Sequence, residues 1–116
     1  MTDKVVVLVT CGTRREARHI AAELVERRLA ACVNVLEAPV RSTYCWKSKS
    51  ETATEYLLLI KTAKKRLRAL RSAVERLHRY EVPEFIALPI IAGSPAYLRW
   101  LDECLRPARR ARRAES

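Results

Sequence analysis

The sequence lacks most of what ready-made chemistry requires. Its 116 residues contain two Gly. A loop that wraps phosphates through bare backbone needs more glycine than that, so the usual phosphate cradles are excluded. Two His are present, His19 and His78. His19 falls inside a helical segment between Arg18 and Ile20, and no nucleophile, base and orienting group gather around either, which points away from catalysis. The Cys at 11, 32, 45 and 104 form no C-x-x-C pair, which argues against structural zinc. No apolar stretch approaches the ~20 residues of a membrane-spanning helix. The first apolar run, Val5 to Val9, is too short for a secretory signal. Reduced thiols in a cytoplasm are the expectation.

Acidic residues are also short, 13 against 23 basic, for a net charge of +10. Five Arg and one Glu lie in residues 106–116, which reads as a basic, disordered tail behind a domain at 1–105. A basic surface suits anionic partners. Nucleic-acid modules add interleaved aromatics or a recognisable motif. Neither is present, so nucleic acid is not an expected partner. With 49% hydrophobic and 31% charged residues the composition is that of a globular domain rather than a disordered chain.

What is present is a clear succession of elements. Val5 to Val9 reads as a buried strand running into a turn at Thr10-Cys11-Gly12-Thr13. Thr13 is placed to cap a helix, with Glu16 completing a capping box. Ala17, Ile20, Ala21, Leu24 and Val25 then keep helical spacing, and the helix should end near Arg28. Cys32 to Leu36 begins a second strand, with Cys32 and Cys45 as small core residues. Pro39 interrupts this strand and Val40 to Trp46 resumes it. The large apolar residues move from odd positions (Val33, Val35) to even ones (Tyr44, Trp46), as at a bulge or edge bend. The polar stretch 47–54 reads as a hairpin loop, and Glu55 to Thr62 as the third strand. Lys64 to His78 is an amphipathic helix with its stripe at Leu67, Leu70, Val74 and Leu77. Phe85 to Ile91 is a fourth strand, at a sheet edge because of Pro89. Ser94-Pro95 opens a short third helix. The order is βαββαβ plus a terminal helix, an α+β fold of the ferredoxin-like, split βαβ kind.

One feature of the strands predicts assembly. An antiparallel sheet with helices on one face shows water its other face, and its strands should alternate apolar and polar. Val5 to Val9 and Tyr56 to Ile60 do not alternate. The third helix is too short to shield four strands, so copies of the chain are expected to pack sheet against sheet. A parallel, doubly covered sheet would also give such strands, but the short 47–54 connection cannot cross over.

Five segments then carry a resemblance. They are Leu29-Ala30-Ala31-Cys32-Val33-Asn34, Ser42-x-Tyr44-x-Trp46, Ile60-Lys61-Thr62, His78-x-Tyr80-x-Val82-Pro83-Glu84 and Tyr97-Leu98-x-Trp100-Leu101. In this order and spacing the chain resembles CutA, the divalent-cation-tolerance proteins. The resemblance implies a ferredoxin-like fold, a tight homotrimer with sheets packed inward, and long central strands reaching between subunits. It also implies a link to divalent cations, copper among them, without an established enzymatic activity. The pattern departs in three places. Ser48 stands where Gly is frequent, Val9 where a copper-ligating Cys has been proposed, and Leu77 where the family shows the first of two His.

Candidate residues follow. His78 ends the second helix, where the dipole favours a cation, and with Cys11 it is the candidate metal pair for Cu²⁺ or another divalent ion. Trp46, Lys61, Glu84, Tyr97 and Trp100 are the candidates for an intersubunit cleft holding a small anionic ligand. The first reading is a trimeric, non-enzymatic metal-tolerance protein. The second is a trimeric ligand sensor resembling PII signalling proteins.

Overall fold

The computed structural model describes residues 2–107. The expected basic tail lies outside the described residues from position 108 onward. The elements are β1 (Lys4–Cys11), α1 (Arg14–Glu26), β2 (Cys32–Val35), β3 (Val40–Trp46), β4 (Lys49–Ala63), a 3₁₀ turn (Lys64–Arg66), α2 (Leu67–Leu77), β5 (Ile86–Pro89) and α3 (Pro95–Leu105). The strands form one antiparallel sheet in the order β2-β4-β1-β5, with β3 pairing to the outer part of β4. This is a mixed α+β fold.

β1 is the β-branched run of the sequence, and register explains its two-sidedness. Val7 pairs with Ile60 and Val9 with Leu58. These residues face the helices, where they pack on Ala17, Ile20 and Leu24 of α1 and Leu70, Ala73 and Val74 of α2. Burying each such Leu, Ile or Val contributes roughly 1.5–3 kcal/mol. Val6, Leu8, Leu57 and Leu59 alternate with them and face the other way.

α3 covers one end of that second face. Leu101 and Leu105 pack on Ala31 and Ala63. Lys4, buried under the helix, lies 2.8 Å from Asp102. α3 has no basic residue in its last turn, and guanidiniums from elsewhere meet its C-terminal carbonyls. Arg28 donates to the Cys104 carbonyl at 3.1 Å, and Arg66 donates to that of Leu105. Beyond α3 the face is open, with Ile86 48% and Leu88 44% exposed.

Three local expectations change. The stretch 47–54 is not a loop. The chain reverses over Lys47 and Ser48 alone, at φ 51° and 68°, and Trp46 pairs with Lys49. Two consecutive left-handed residues make a tight hairpin turn that favours Asn-Gly, so Ser48 occupies a glycine-type position. Residues 49–54 look like loop because they are almost all solvent-exposed in one chain; pairing with β3, not burial, makes them strand. The capping box is half formed. Thr13 Oγ1 accepts from the Glu16 backbone N–H at 3.0 Å, but the Glu16 carboxylate turns away and accepts from Arg79 N–H at 2.8 Å. Cys45 is exposed rather than a core residue, because it lies on the projecting hairpin.

Candidate functional site

The long β4 creates a fork. Cys11, the last residue of β1, pairs with Tyr56, and Val40, the first of β3, pairs with Glu55. Glu55 therefore sits where the sheet loses one neighbour and the hairpin begins. The chain leaving α2 crosses this point. His78 Nε2 donates to the Thr10 carbonyl at 2.7 Å, and His78 Nδ1 accepts from the Tyr80 N–H at 3.0 Å. That pattern assigns a neutral imidazole protonated on Nε2. Tyr80 then lies against the turn after β1. A Cβ at Gly12 would sit 3.2 Å from the Tyr80 hydroxyl, so glycine permits the approach. The hydroxyl donates to Glu55 Oε2 at 2.7 Å. Burial and that bond to a carboxylate hold the phenol protonated well above its ordinary range.

The result is a cleft of about 800 Å³ between β3 and the segment 80–84. Its walls include Thr10, Tyr44, Trp46, Glu55, Tyr80 and Glu84. Glu81 also lines it, and no Lys or Arg does. Burial first, and then the negative charge of Glu55, raise the Glu84 carboxyl above its ordinary value. Two carboxylates that repel each other beside aromatic rings suit a cation better than an anion.

The residues singled out from sequence fall in four places. Trp46 and Glu84 line this cleft. Lys61 is on the open face of β4 and donates to Asn34 Oδ1 of β2. Tyr97 and Trp100 stack on each other on α3, ring centroids 5.5 Å apart. Within one chain, then, the five candidates for an anion pocket do not converge. His78 reaches Thr10, the neighbour of Cys11, so the candidate metal pair is brought to one corner. Neither offers a free donor there. Both His78 nitrogens are engaged, its side chain has no exposed surface, and Cys11 is fully buried. Burial, with the charges of Glu16 and Glu55 adding, pushes the Cys11 thiol up to about 12, far from the thiolate that binds soft metals. A metal pair would need Cys11 accessible in this turn. The turn is instead sealed by α1 and by Tyr80. Among the described residues no three His, Cys, Asp or Glu gather in a metal-binding group.

Sequence reasoning missed Glu55, Tyr44 and Tyr80 as cleft residues. Glu55 carried a usable signal, a carboxylate at the border between a polar stretch and an apolar strand. Reading the polar stretch as loop hid it. Among the described residues no helix is long and apolar enough to cross a membrane.

Comparison with known proteins adds the relationship. The family model described as CutA1 divalent ion tolerance protein matches residues 5–104. The divalent-cation tolerance protein CutA of Thermus thermophilus is 46% identical over 98 residues, covering 84% of this chain and 94% of that protein. A CutA homolog of Xenopus laevis is 50% identical over 95 residues, 82% of this chain. This chain spans 62% of the frog protein's length and 53% of the length of the mouse CutA protein. Among solved structures, the Thermus thermophilus divalent cation tolerance protein superposes with a TM-score of 0.82 at 45% identity, covering 84% of this chain and 94% of that one. CutA from Xylella fastidiosa gives 0.86 at 38% identity, covering 90% of this chain and all of that one. Since the matched stretch takes in all of the sheet but Lys4, the fork at Glu55 and most of α3, the chain belongs to the CutA1 divalent ion tolerance family.

Proposed function

We propose that this protein serves divalent-cation tolerance by binding the cation, without turnover, in the Glu55–Glu84 cleft of a homotrimer. The strand order β5-β1-β4-β2, with α1 and α2 on one face, supports a ferredoxin-like reading of the fold. The open apolar face supports assembly through the sheets. The observation that carries the cation reading is the pair of carboxylates in an uncompensated cleft: Glu84 is raised by burial and by Glu55, and a bound divalent ion would relieve both effects.

The donors on offer are mostly carboxylate and hydroxyl oxygens, with one thiol, Cys45, and the Tyr80 and Trp46 rings beside them. Such a set fits a harder divalent ion better than soft, thiolate-bound copper. Two carboxylates alone make an incomplete shell, and a neighbouring copy is the natural source of the remaining ligands. A binding role rather than catalysis accords with His78, the best general base in the sequence, being committed to two structural hydrogen bonds. Four unpaired thiols accord with a cytoplasmic setting.

Titration calorimetry with Mn²⁺, Zn²⁺ and Cu²⁺ tests this. Saturable binding that weakens at least tenfold in Glu84→Gln is the expected result. Equal affinity in the variant, or no saturable binding of any of the three ions, would contradict it.

A further inference from the structure

The outer side of α2 has no part in the cleft or the open face. Leu70, Ala73 and Val74 on its inner side are fully buried. Opposite them, from the 3₁₀ turn to the residue beyond the helix cap, Lys64, Lys65, Arg68, Arg71, Arg76 and Arg79 are all exposed, with one carboxylate, Glu75, among them. Glu75 is engaged with Arg71 at 3.0 Å. Arg76 donates to Ser72 Oγ at 3.0 Å, which orients the guanidinium without neutralising it. Asp3 feels Lys65, but its main partner is Lys4.

The first helix shows what compensated arginines look like in the same layer. Arg14 and Arg18 both meet Glu37, and Arg27 meets Glu23. Among the described residues, positions 64–79 thus carry seven basic side chains against one acidic. At 1.5 Å per residue the helix and its leading turn make a ridge about 20 Å long. A nucleic-acid duplex carries about one negative charge per 1.7 Å of axis, so such a ridge meets many phosphates at once.

We propose that the α2 ridge binds the phosphate backbone of duplex nucleic acid without reading its sequence. Guanidinium forks match phosphate oxygens in a bidentate way. The ridge has no aromatic side chain, which leaves single-stranded bases nothing to stack on and base edges nothing to be read by. That absence argued against nucleic acid at the level of sequence, but it bears on base readout and not on backbone contact. An acidic peptide anchored in the groove of Leu67, Val82, Pro83, Phe85 and Ala87 would meet Arg68 and Arg71 at its rim but leave Lys64, Lys65 and Arg76 unmatched, whereas a duplex runs the length of the ridge. A membrane surface would want an apolar helix face to insert, and that of α2 is spent in the core. The ridge lies on the opposite side of the sheet from the open apolar face, so copies packed on that face leave it free.

Fluorescence anisotropy of the full chain with a labelled duplex of about 30 base pairs, at about 50 to 200 mM salt, tests this. Four to five phosphate contacts predict a slope of log affinity on log salt near about −4. Arg68→Glu with Arg71→Glu should lower affinity at least tenfold and flatten the slope by about 2. The neutral pair Arg68→Gln with Arg71→Gln should lose less, in the same direction. Reversing Arg112 and Arg113 to Glu is the control and should cost less than the α2 reversal. The proposal is overturned if the duplex does not bind at the lowest salt, or if the control reversal costs as much. It is overturned equally if poly-glutamate or vesicles rich in phosphatidylserine bind as tightly as the duplex.

Discussion

Leu59 and Ile60 are neighbours on β4 and nearly the same size, yet they belong to different worlds. Ile60 has no exposed surface and is locked between β1 and the helices. Leu59 points to the face that α3 leaves partly uncovered, opposite Leu8. The chain builds its own shelter for one side of the sheet and leaves much of the other apolar side open. A large apolar face left open by its own chain is the kind of surface through which proteins meet partners. The same division extends outward. Register puts Tyr44 and Trp46 of β3 on the open side, so the odd-to-even shift across Pro39 marks a change in which side of the ribbon is apolar.

The sharpest way to break this comparison is to alter each neighbour in turn. Ile60→Ala should cost about 2–5 kcal/mol in a urea titration, through lost burial and the cavity left behind. Leu59→Asp should leave the far-ultraviolet circular dichroism of the chain intact while dissociating the assembly. If Leu59→Asp unfolds the chain, or leaves the assembly unchanged, the two faces are not divided in this way.

A second contrast is between the two bonds at the start of α1. Thr13→Ala removes an ordinary cap and should cost about 1 kcal/mol. Glu16→Ala removes the largely buried acceptor that ties the Arg79 N–H and the segment after α2 to α1, and should cost about 1–3 kcal/mol. Equal losses would show that the long-range tie contributes nothing beyond capping.

Glu84 separates the cleft from the core by its response to pH. Its carboxyl is raised in the folded chain from the ordinary 4.5. A raised carboxyl binds its proton more tightly when folded, so its contribution to stability is full below the unfolded value and is lost as pH rises through the folded one. Glu84→Gln should abolish that loss and make the metal-free protein more stable than the parent at neutral pH. A divalent ion should close the gap by stabilising the parent alone. Thermal melts at pH 4 and pH 7, with and without Mn²⁺, measure both effects.

The smallest expected effect is at the hairpin tip. Ser48→Gly relieves a left-handed residue at φ 68° and should stabilise the chain by about 0.4–1 kcal/mol, read as an upward shift in melting temperature. A destabilisation would mean that the Ser48 side chain makes contacts that outweigh the strain.

Much of the fold was legible because its signals are local. The β-branched run, the stripes of α1 and α2, the Ser94-Pro95 start of α3 and the edge position of β5 all follow from periodicity and capping. The outer half of β4 was not legible. Lys49 to Thr54 carry polar side chains on a two-stranded ribbon, so only pairing distinguishes them from loop, and pairing is not a local property. The candidate site was legible in part for the same reason. Glu84 and Trp46 lay in recognisable segments, whereas Glu55 gains its role from the fork between β1 and β3. His78 and Cys11 were singled out as donors by residue type. Three-dimensional packing gives them other work, the ring in two hydrogen bonds and the thiol in the core.

Sedimentation equilibrium of the full chain at micromolar concentration asks directly whether copies cover the open sheet face. Three copies of the 13.3 kDa chain predict a single species near about 40 kDa that persists on dilution. A stable 13.3 kDa particle would contradict the account.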